Sequence, residues 1–548
     1  MPVRLMEPAA EAYRYPLLIR HLLHAPLASA ADQQIVYRDR RRHTYATFAE
    51  RVARLAGALR GLGVEPGDTV AVMDWDSHRY LECFFAIPMM GAVLHTVNVR
   101  LTPEQIAYTL AHAGAEVVLV NRDFLPLLEP LRAGLPRIRR CIVLDDAPGG
   151  TVPAWVDDEY ERALSSAPPS FPFEDFDEHA IATTFYTTGT TGDPKGVCFS
   201  HRQLVLHTLA LMAAIAAPAH GQSFRQGDVY MPLTPMFHVH AWGNPYVATA
   251  LGVKQVYPGR YAPADLLALR AQEGVTYSHC VPTILRMLLT HAREAGISLA
   301  GWKLCIGGSA LSAGLAAEAL DAGIDVFAGY GMSETGPVMT VSRLKEPAAS
   351  LDRRVEIERR CRTGLPIPLV DLKIIDAEGR PLPSDDQSVG EVVVRSPWTT
   401  PCYVGDPAAS AELWAGGVLH TRDVGRQDAA GYLQITDRLK DIIKTGGEWI
   451  SSVELEDLVS TVPGVAEVAV IGVPDDRWGE RPLVLVVAAA DAPETLTVEA
   501  VRTHVVAAAA AGRLPRYAVP ERVMFVGSLA RTSVGKIDKR ALRGRYGS

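Results

Sequence analysis

Residues 186–197, which read YTTGTTGDPKGV, constrain the fold of this chain more than any other segment. The three glycines of this segment permit positive φ and close backbone approach, so that consecutive N–H groups can converge on an anion. Threonine hydroxyls and Lys195 can complete the shell around it. The apolar run before the segment predicts a strand, and the Leu- and Ala-rich run 201–217 after it predicts a buried helix. The pattern therefore predicts a phosphate-binding loop between a strand and a helix.

The spacing excludes two common phosphate-binding motifs. A Walker loop needs G-x-x-x-x-G-K-[ST], but here Lys195 precedes Gly196 and a valine follows that glycine. No G-x-G-x-x-G occurs in the chain either. A surface turn is the alternative interpretation, but turns seldom need so many hydroxyls beside a lysine.

Length and composition set the class of protein. A chain of 548 residues exceeds what one hydrophobic core usually organises, so two or more domains are expected. The net charge of −8 offers no electrostatic footprint for nucleic acid. Seven cysteines without a C-x-x-C pair argue against a disulfide framework or a zinc site and fit a reducing compartment. Because no secretion signal or clean membrane span is recognisable, we expect a soluble, cytoplasmic protein.

The order of predicted elements indicates an α/β protein with a separate C-terminal domain. Helical patterns alternate with short apolar runs over residues 44–123 and again to about 340, as in doubly wound α/β layers. Short strands and turns from about 365 predict a compact β unit. The α+β pattern that follows is long enough for a small independent domain. The predicted division is a large N-terminal domain over 1–437, a hinge over 438–442 and a small, mobile α+β domain over 443–548.

A second motif, GYGMSETGP at 329–337, places an aromatic ring four residues before a carboxylate on a glycine-flexed loop. Tyr330 can stack on a purine. Glu334 can hold Mg²⁺, a hard cation that prefers oxygen ligands and bridges phosphates. Taken alone, a tight turn with an exposed acid is an equally good interpretation.

Two more motifs lie towards the C-terminus. In TRDVG at 421–425, Asp423 can accept hydrogen bonds from both ribose hydroxyls, with Arg438 as a reader of ribose or α-phosphate. An aspartate in a turn is weak evidence by itself. RTSVGK at 531–536 contains S-x-x-K, which could suggest a serine nucleophile of the β-lactamase kind, but no S-D-N triplet accompanies it.

These motifs, in this order and across nearly the whole chain, resemble the signatures of the adenylate-forming superfamily, which comprises acyl-CoA synthetases, luciferases and peptide-synthetase adenylation domains. The segments KDIIKTGGEWISSVELE, PMFHVHAWG and TGLPIPLV are similar to the fatty acyl-CoA synthetase branch, medium-chain type. The resemblance implies ATP, Mg²⁺ and CoA. It also implies an acyl adenylate formed with release of pyrophosphate, followed by transfer of the acyl group to CoA with release of AMP.

The resemblance also implies which residues form the site. The catalytic groups would be Lys536, Glu334 and His238, and the metal ligands Thr187 and Glu334. ATP would be bound by Thr187, Thr188, Gly189, Thr190, Thr191, Gly192, Lys195, Gly308, Ser309, Gly329, Tyr330, Gly331, Met332, Ser333, Asp423 and Arg438. The acyl or CoA pocket would be formed by Trp242, Gly307, Ala310, Lys444, Gly446, Gly447 and Trp449. The small domain would rotate about Lys440 between the two half reactions.

The stretch PMFHVHAWGNP bears on the acid. His238 and His240 lie two apart, which in a strand would put both on one face, but no further ligand cluster lies nearby and a metal site is disfavoured. By resemblance Trp242 gates the acyl tunnel, with core packing as the alternative. Asn244 departs from the apolar residue expected there. A medium-chain fatty acid is therefore the expected substrate, and a shorter or functionalised acid such as 3-methylmercaptopropionate is the alternative.

Two other functions use the same residues. The chain could deliver acyl groups to a carrier protein instead of CoA, or it could be a catalytically silent nucleotide-binding protein. The joint presence of Lys195, Glu334, Asp423, Arg438 and Lys536 disfavours the silent protein. The expected partners are a fatty acid or other small carboxylic acid and CoA, and the resemblance makes a homodimer a reasonable expectation.

Overall fold

The computed structural model describes residues 3–146, 152–187, 193–445, 448–511, 513–531 and 537–547. Four β-sheets and the helices packed around them form this part of the chain. The longer helices follow the predicted alternation with strands. The helices of eight or more residues span Tyr45–Gly61, His78–Met89, Pro103–His112, His201–Ala216, Asn244–Leu251, Pro263–Glu273, Pro282–Ala295, Ala313–Asp321, Arg353–Cys361, Ser452–Ser460, Val498–Ala510 and Lys539–Tyr546. The shorter ones span His24–Ser29, Leu125–Leu128, Tyr160–Ser166 and Pro407–Leu413, and residues Val239–Trp242 form a left-handed turn.

The first large sheet has seven strands and is parallel except for its last pair. In sheet order the strands are Asp158–Glu159, Arg140–Leu144, Ala115–Asn121, Thr69–Met73, Val93–Thr96, Ile181–Thr187 and Lys195–Ser200. The last two are antiparallel, with Thr187 opposite Lys195. The phosphate-binding loop was predicted between a strand and a helix, but it lies between these two strands, and the helix begins only after the second of them. Residues 188–192 of the loop lie outside the described residues.

The second large sheet has nine strands, and its central part is parallel. In sheet order the strands are Leu365–Pro366, Val338–Val341, Asp325–Gly331, Lys303–Ile306, Tyr277–Cys280, Val229–Tyr230, Lys254–Tyr257, Gln34–Tyr37 and Arg41–Thr44. The N-terminal pair reaches this sheet because Ile35 pairs with Gln255, more than 200 residues later along the chain. The two α/β layers are therefore interleaved, whereas the sequence pattern placed them one after the other.

Two smaller sheets follow. The antiparallel β unit predicted from about residue 365 is a four-stranded sheet of Asp371–Ile375, Gly390–Arg395, Leu419–Gln427 and Leu433–Arg438. The last sheet has five strands, Ile443–Thr445, Glu448–Ile450, Val465–Asp475, Gly479–Ala488 and Arg522–Phe525, with its own buried core. The predicted α/β class with a large N-terminal and a small C-terminal domain is confirmed. The exact boundaries 1–437, 438–442 and 443–548 stay predictions.

The helix after the phosphate-binding segment was predicted over 201–217 and spans His201–Ala216. The Ser200 side chain accepts a hydrogen bond from the Gln203 amide, and the Gln203 side chain accepts one from the Ser200 amide, so a capping box fixes the first turn of the helix. Leu204, Leu211 and Ile215 are buried. In the part of the chain that the structure describes, no helix is long and apolar enough to cross a membrane.

Candidate active site

Glu334 lies in a short 3₁₀ turn, Ser333–Thr335, directly after the strand Asp325–Gly331. The sequence predicted a flexible loop throughout 329–337, but Gly329, Tyr330 and Gly331 belong to the strand. The Glu334 side chain is buried, and its Oε1 accepts a hydrogen bond of 2.6 Å from the hydroxyl of Tyr403. Burial raises the pKa of Glu334 because the carboxylate loses solvation. A divalent cation would offset that loss.

Tyr403 joins Glu334 to the phosphate-binding segment. The ammonium of Lys195 lies 4.7 Å from the centre of the Tyr403 ring, within the range of a cation–π contact. The backbone next to Tyr403 is held against the strand Lys195–Ser200, because the Val404 amide donates to the Gly196 carbonyl over 2.9 Å. Lys195 and Glu334, predicted from two separate motifs, therefore meet on one tyrosine. Sequence reasoning missed Tyr403 because a single tyrosine in an irregular segment carries no spacing signal.

Tyr330, Asp423 and Arg438 form a second cluster. The Tyr330 hydroxyl donates to Asp423 Oδ2 over 2.7 Å, and Arg438 Nε lies 3.5 Å from Asp423 Oδ1. Asp423 and Arg438 are opposite one another on adjacent antiparallel strands, not in the turn that the sequence suggested for Asp423. Burial and the Asp423 carboxylate raise the pKa of Tyr330 well above its usual range, so the phenol stays a hydrogen-bond donor.

Glycines border this cluster where a side chain would not fit. A Cβ on Gly331 would lie 1.7 Å from the Pro337 carbonyl oxygen, and one on Gly307 would lie 3.0 Å from the Gly329 carbonyl oxygen. Gly308 has φ of +76°, a left-handed conformation that favours glycine. The backbone therefore approaches closely across 307–308 and 329–331. Four more predicted residues lie on these segments, namely Ser309 and Ala310, which are exposed, and Met332 and Ser333, which are half-buried.

Trp242 is presented by a left-handed turn. Val239, His240, Ala241 and Trp242 all have positive φ, between 47° and 58°, and Gly243 ends the turn at 74°. Because a left-handed conformation costs an L-residue roughly 1–2 kcal/mol, four in succession need strong packing to hold them. His240 supplies part of it, since its Nε2 lies 2.8 Å from Thr183 Oγ1. On the other side of the turn, Trp242 Cη2 lies 3.0 Å from where a Gly307 Cβ would stand.

In a strand, His238 and His240 would share one face, but the segment forms the left-handed turn instead. His238 lines a cleft that is partly open to solvent, whereas His240 is buried against Thr183. The two histidines therefore do not share a face. The cleft brings together three predicted residues, His238, Trp242 and Gly308. Its other lining residues are Arg100, Leu233, Thr234, Pro235, Tyr261, Val281, Thr283 and Ile284, none of which the sequence motifs singled out.

Predicted residues of the C-terminal part are described only in part. Lys444 is exposed on the strand Ile443–Thr445, and Trp449 belongs to the strand Glu448–Ile450. Lys440 lies in the turn after Arg438, where the amides of Asp441 and Ile442 both donate to the Arg438 carbonyl. Lys536, Gly446 and Gly447, together with Thr188, Gly189, Thr190, Thr191 and Gly192, lie outside the described residues.

The helix Ser452–Ser460 contacts the helix Ala313–Asp321 and the four-stranded sheet. Asp457 accepts a hydrogen bond from the Ala313 amide, and Glu454 pairs with Arg426 over 2.9 Å. At the start of the helix, Ser452 donates both its amide and its hydroxyl to Asp437. These contacts are polar, as in interfaces between domains that can move relative to one another.

The side chains of Thr187 and Glu334 fit Mg²⁺, because they offer a hydroxyl and a carboxylate oxygen. Burial destabilises the charged form of Glu334, and a bound cation would stabilise it. Among the described residues, one other group has metal-ligand types in close proximity, namely His43, His78 and Glu82. There, both Glu82 oxygens already accept hydrogen bonds from Arg51, whose positive charge opposes a cation.

The sequence matches two family models in tandem. The AMP-binding enzyme model covers residues 24–404, and the AMP-binding enzyme C-terminal domain model covers residues 454–536. Among curated relatives, a long-chain-fatty-acid–CoA ligase of Thermus thermophilus is 43% identical, over 92% of this chain and 90% of the relative. A 3-methylmercaptopropionyl-CoA ligase of Ruegeria pomeroyi is 36% identical, over 92% and 91%. A medium-chain-fatty-acid–CoA ligase of Ectopseudomonas oleovorans is 35% identical, over 91% and 89%.

Solved structures agree on the fold. An anthranilate CoA ligase in complex with anthranoyl-AMP superposes with a TM-score of 0.85 at 24% identity, covering 97% of this chain and 98% of the other. A fatty acyl CoA synthetase of Mycobacterium tuberculosis superposes with a TM-score of 0.69 at 26% identity, covering 97% and 98%. The chain has the fold of these ligases and belongs to the AMP-binding enzyme family. Within that family it is an AMP-forming acid–thiol ligase.

Proposed function

We propose that this enzyme activates an aliphatic carboxylic acid with ATP and transfers the acyl group to CoA. The observation that carries the proposal is the position of the cleft. His238 and Trp242 line it together with Gly308, which belongs to the same glycine segment that borders the Tyr330 and Asp423 cluster. An acid in the cleft would thus lie beside a bound nucleotide. The names of the three curated relatives, all aliphatic acid–CoA ligases, point to the same class of substrate.

In the first half reaction the acid's carboxylate attacks the α-phosphorus of ATP, forming the acyl–phosphate bond while the bond to pyrophosphate breaks. Asp423 and Arg438 hold the ribose, Tyr330 flanks the base, and Lys195 and the threonines of the loop hold the leaving phosphates. Thr187 and Glu334 would hold Mg²⁺, which neutralises phosphate charge when bound. No covalent enzyme intermediate is needed, so catalysis rests on positioning and on charge neutralisation, to which Lys536 contributes.

In the second half reaction the CoA thiol attacks the adenylate carbonyl. A carbon–sulfur bond forms, AMP leaves, and the thiol proton passes to solvent. The same site then needs a different lining, and a rotation of the C-terminal domain about Lys440 would exchange Lys536 for the segment of Lys444, Gly446 and Gly447. The polar contacts of the helix Ser452–Ser460 suit such a movement.

Acid length is the finer part of the proposal. The sequence resemblance favours a medium chain, with a shorter or functionalised acid as the alternative. One observation favours the shorter acid: the ring of His279 packs against Trp242 with ring centres 5.1 Å apart and is hydrogen-bonded to Tyr230, and all three side chains are buried. An alkyl chain, in contrast, needs apolar volume that is free to receive it. Trp242→Ala tests the gate, because it should change the order of preferred acids. An unchanged order would mean that Trp242 only packs.

The function is tested by pyrophosphate release from ATP with a panel of straight-chain and branched acids. Acid-dependent release is expected, followed by acyl-CoA formation when CoA is added. Absence of release with every acid would refute the proposal. Release without transfer to CoA, but with transfer to an acyl carrier protein, would favour the carrier-loading alternative. The homodimer stays a prediction, which light scattering of the purified protein would test.

A further inference from the structure

We propose that three buried side chains behind Trp242, namely Tyr230, Thr234 and His279, close the acyl pocket and restrict this enzyme to short carboxylic acids. We call these three residues the polar wall. The inference rests on the proposed function, because it concerns the acid that the same site activates. It predicts that acids such as propionate and butyrate are preferred over octanoate and longer chains.

The polar wall stands directly behind the tryptophan. The His279 ring centre lies 5.1 Å from that of Trp242. Thr234, which belongs to the wall, also lines the open cleft. Tyr230 Oη lies 2.8 Å from His279 Nε2, and Thr234 Oγ1 lies 3.2 Å from His279 Nδ1. The relative exposures of Tyr230, His279 and Thr234 are 0%, 0% and 2%. A chain that passed Trp242 would therefore meet hydrogen-bonded side chains.

The wall cannot open cheaply. Both ring nitrogens of His279 have hydroxyl partners, so turning the ring aside would leave several buried polar groups without hydrogen bonds. Burial lowers the pKa of His279 to about 3, so the ring is neutral and one nitrogen donates while the other accepts. A rotation of Trp242 alone would thus expose the wall without producing a tunnel.

A second aromatic layer supports the wall. The Tyr230 ring is stacked on His279, and Tyr230 pairs in register with Tyr277 on the adjacent strand. Tyr277 in turn is stacked on Phe224 with ring centres 4.2 Å apart, and its hydroxyl lies 3.5 Å from Asn244 Oδ1. Asn244, the polar residue that stood out in the sequence, therefore belongs to the support of the wall. An alkyl chain at this depth would have to displace packed rings.

The same atoms argue against direct recognition of a polar acyl group. Tyr230 and Thr234 already bind His279, so the wall offers no spare imidazole nitrogen to a substrate. The wall excludes by volume and by the cost of breaking its hydrogen bonds. The short acid lies in front of Trp242, in the cleft lined by His238 and Gly308.

The test compares kcat/KM for octanoate and butyrate, measured by pyrophosphate release, in the wild-type enzyme and in His279→Ala. The wild type should prefer butyrate. Because one methylene in an apolar pocket is worth about 10-fold or more, the octanoate-to-butyrate ratio should rise by at least roughly 10-fold in the variant, with KM for ATP unchanged. His201→Ala is the matched control: His201 is equally buried but bonds to the Ile19 amide. That control should keep the wild-type ratio.

Thr234→Ala opens the wall from the cleft side and serves if His279→Ala does not fold; it should raise the same ratio. A wild-type preference for octanoate, or a ratio that moves equally in His201→Ala, would overturn the inference while acid-dependent pyrophosphate release upholds the proposed function. A preference for short acids with polar ends that disappears in His279→Ala would also overturn it, because the wall would then recognise the acid. No release with any acid would refute the function itself.

Discussion

The nucleotide side and the acyl side of this site both bury polar side chains, but they use them differently. On the nucleotide side, the carboxylates of Glu334 and Asp423 each accept one hydrogen bond from a tyrosine hydroxyl. On the acyl side, His279 uses both ring nitrogens on neighbouring hydroxyls. The first arrangement carries charge for a ligand, whereas the second only fills space. Variants of the nucleotide side should therefore lower activity equally for every acid, and variants of the acyl side should reorder the acids.

Glu334→Gln should have the largest effect and tests the first half of the comparison. Loss of the charge that would hold Mg²⁺ against the phosphates should lower pyrophosphate release by about 100- to 1,000-fold, as for other groups that stabilise developing charge. The loss should be the same for butyrate and octanoate. Glu346→Gln, at a partly exposed glutamate paired with Arg359, is the control. A loss that depends on the acid would break the comparison.

Asp423→Asn should have the second-largest effect. Hydrogen bonds to charged groups are worth about 1.5–3 kcal/mol, so weaker ribose binding should raise KM for ATP by roughly 10- to 100-fold. The order of acids should not change. Asp371→Asn, at an exposed aspartate of the same four-stranded sheet, should leave KM for ATP as it is. If KM for the acid rose instead, Asp423 would belong to the acyl side.

The same contrast explains what the sequence could predict. Tyr330, Glu334 and Asp423 could be predicted as site residues because phosphate, metal and ribose demand particular groups at fixed spacings, and their roles stay predictions. The structure brings Tyr330 and Asp423 into contact over 2.7 Å. Tyr403 was not recognisable, because only the fold brings its hydroxyl to Glu334. The domain order followed from the succession of predicted elements, and the helix His201–Ala216 from its Leu- and Ala-rich composition.

The acyl side was hidden for a physical reason. Tyr230 and His279 come from strands 49 residues apart and look like ordinary members of strand segments until the sheet aligns them. The left-handed turn that presents Trp242 was equally invisible, since four non-glycine residues with positive φ contradict local preference. Such a turn exists only because the packing on both sides outweighs its strain.

Lys440→Pro tests a step that belongs to neither side. Fixing φ at the turn after Arg438 should restrict rotation of the C-terminal domain. Adenylate formation, measured as pyrophosphate release, should be retained. Thioester formation from a preformed adenylate should fall by about 10-fold or more, because the conformational step is hindered. Lys440→Ala removes the side chain but leaves φ free, and it should spare both steps. Equal losses in the two half reactions would remove Lys440 from the hinge.

The last prediction concerns stability rather than activity and rests on Asp76, at the edge of the acyl side. Its Oδ1 accepts from the Met236 amide over 2.8 Å and its Oδ2 from the Tyr261 hydroxyl. Burial raises the pKa of Asp76 from 3.8 to about 7, with Asp74 acting in the same direction and Arg100 against it. The folded protein therefore binds this proton more tightly than the unfolded chain does.

Stability from this group is fully present below pH 3.8 and is lost as the pH rises towards 7, at about 1.4 kcal/mol per pH unit. Asp76→Asn cannot ionise, so the melting temperature of the variant relative to wild type should increase between pH 5 and pH 7 and then level off. Asp371→Asn, at an exposed aspartate, should show no such trend. A constant difference across that range would mean that Asp76 is already ionised in the folded protein, and that a charge can be held on the acyl side after all.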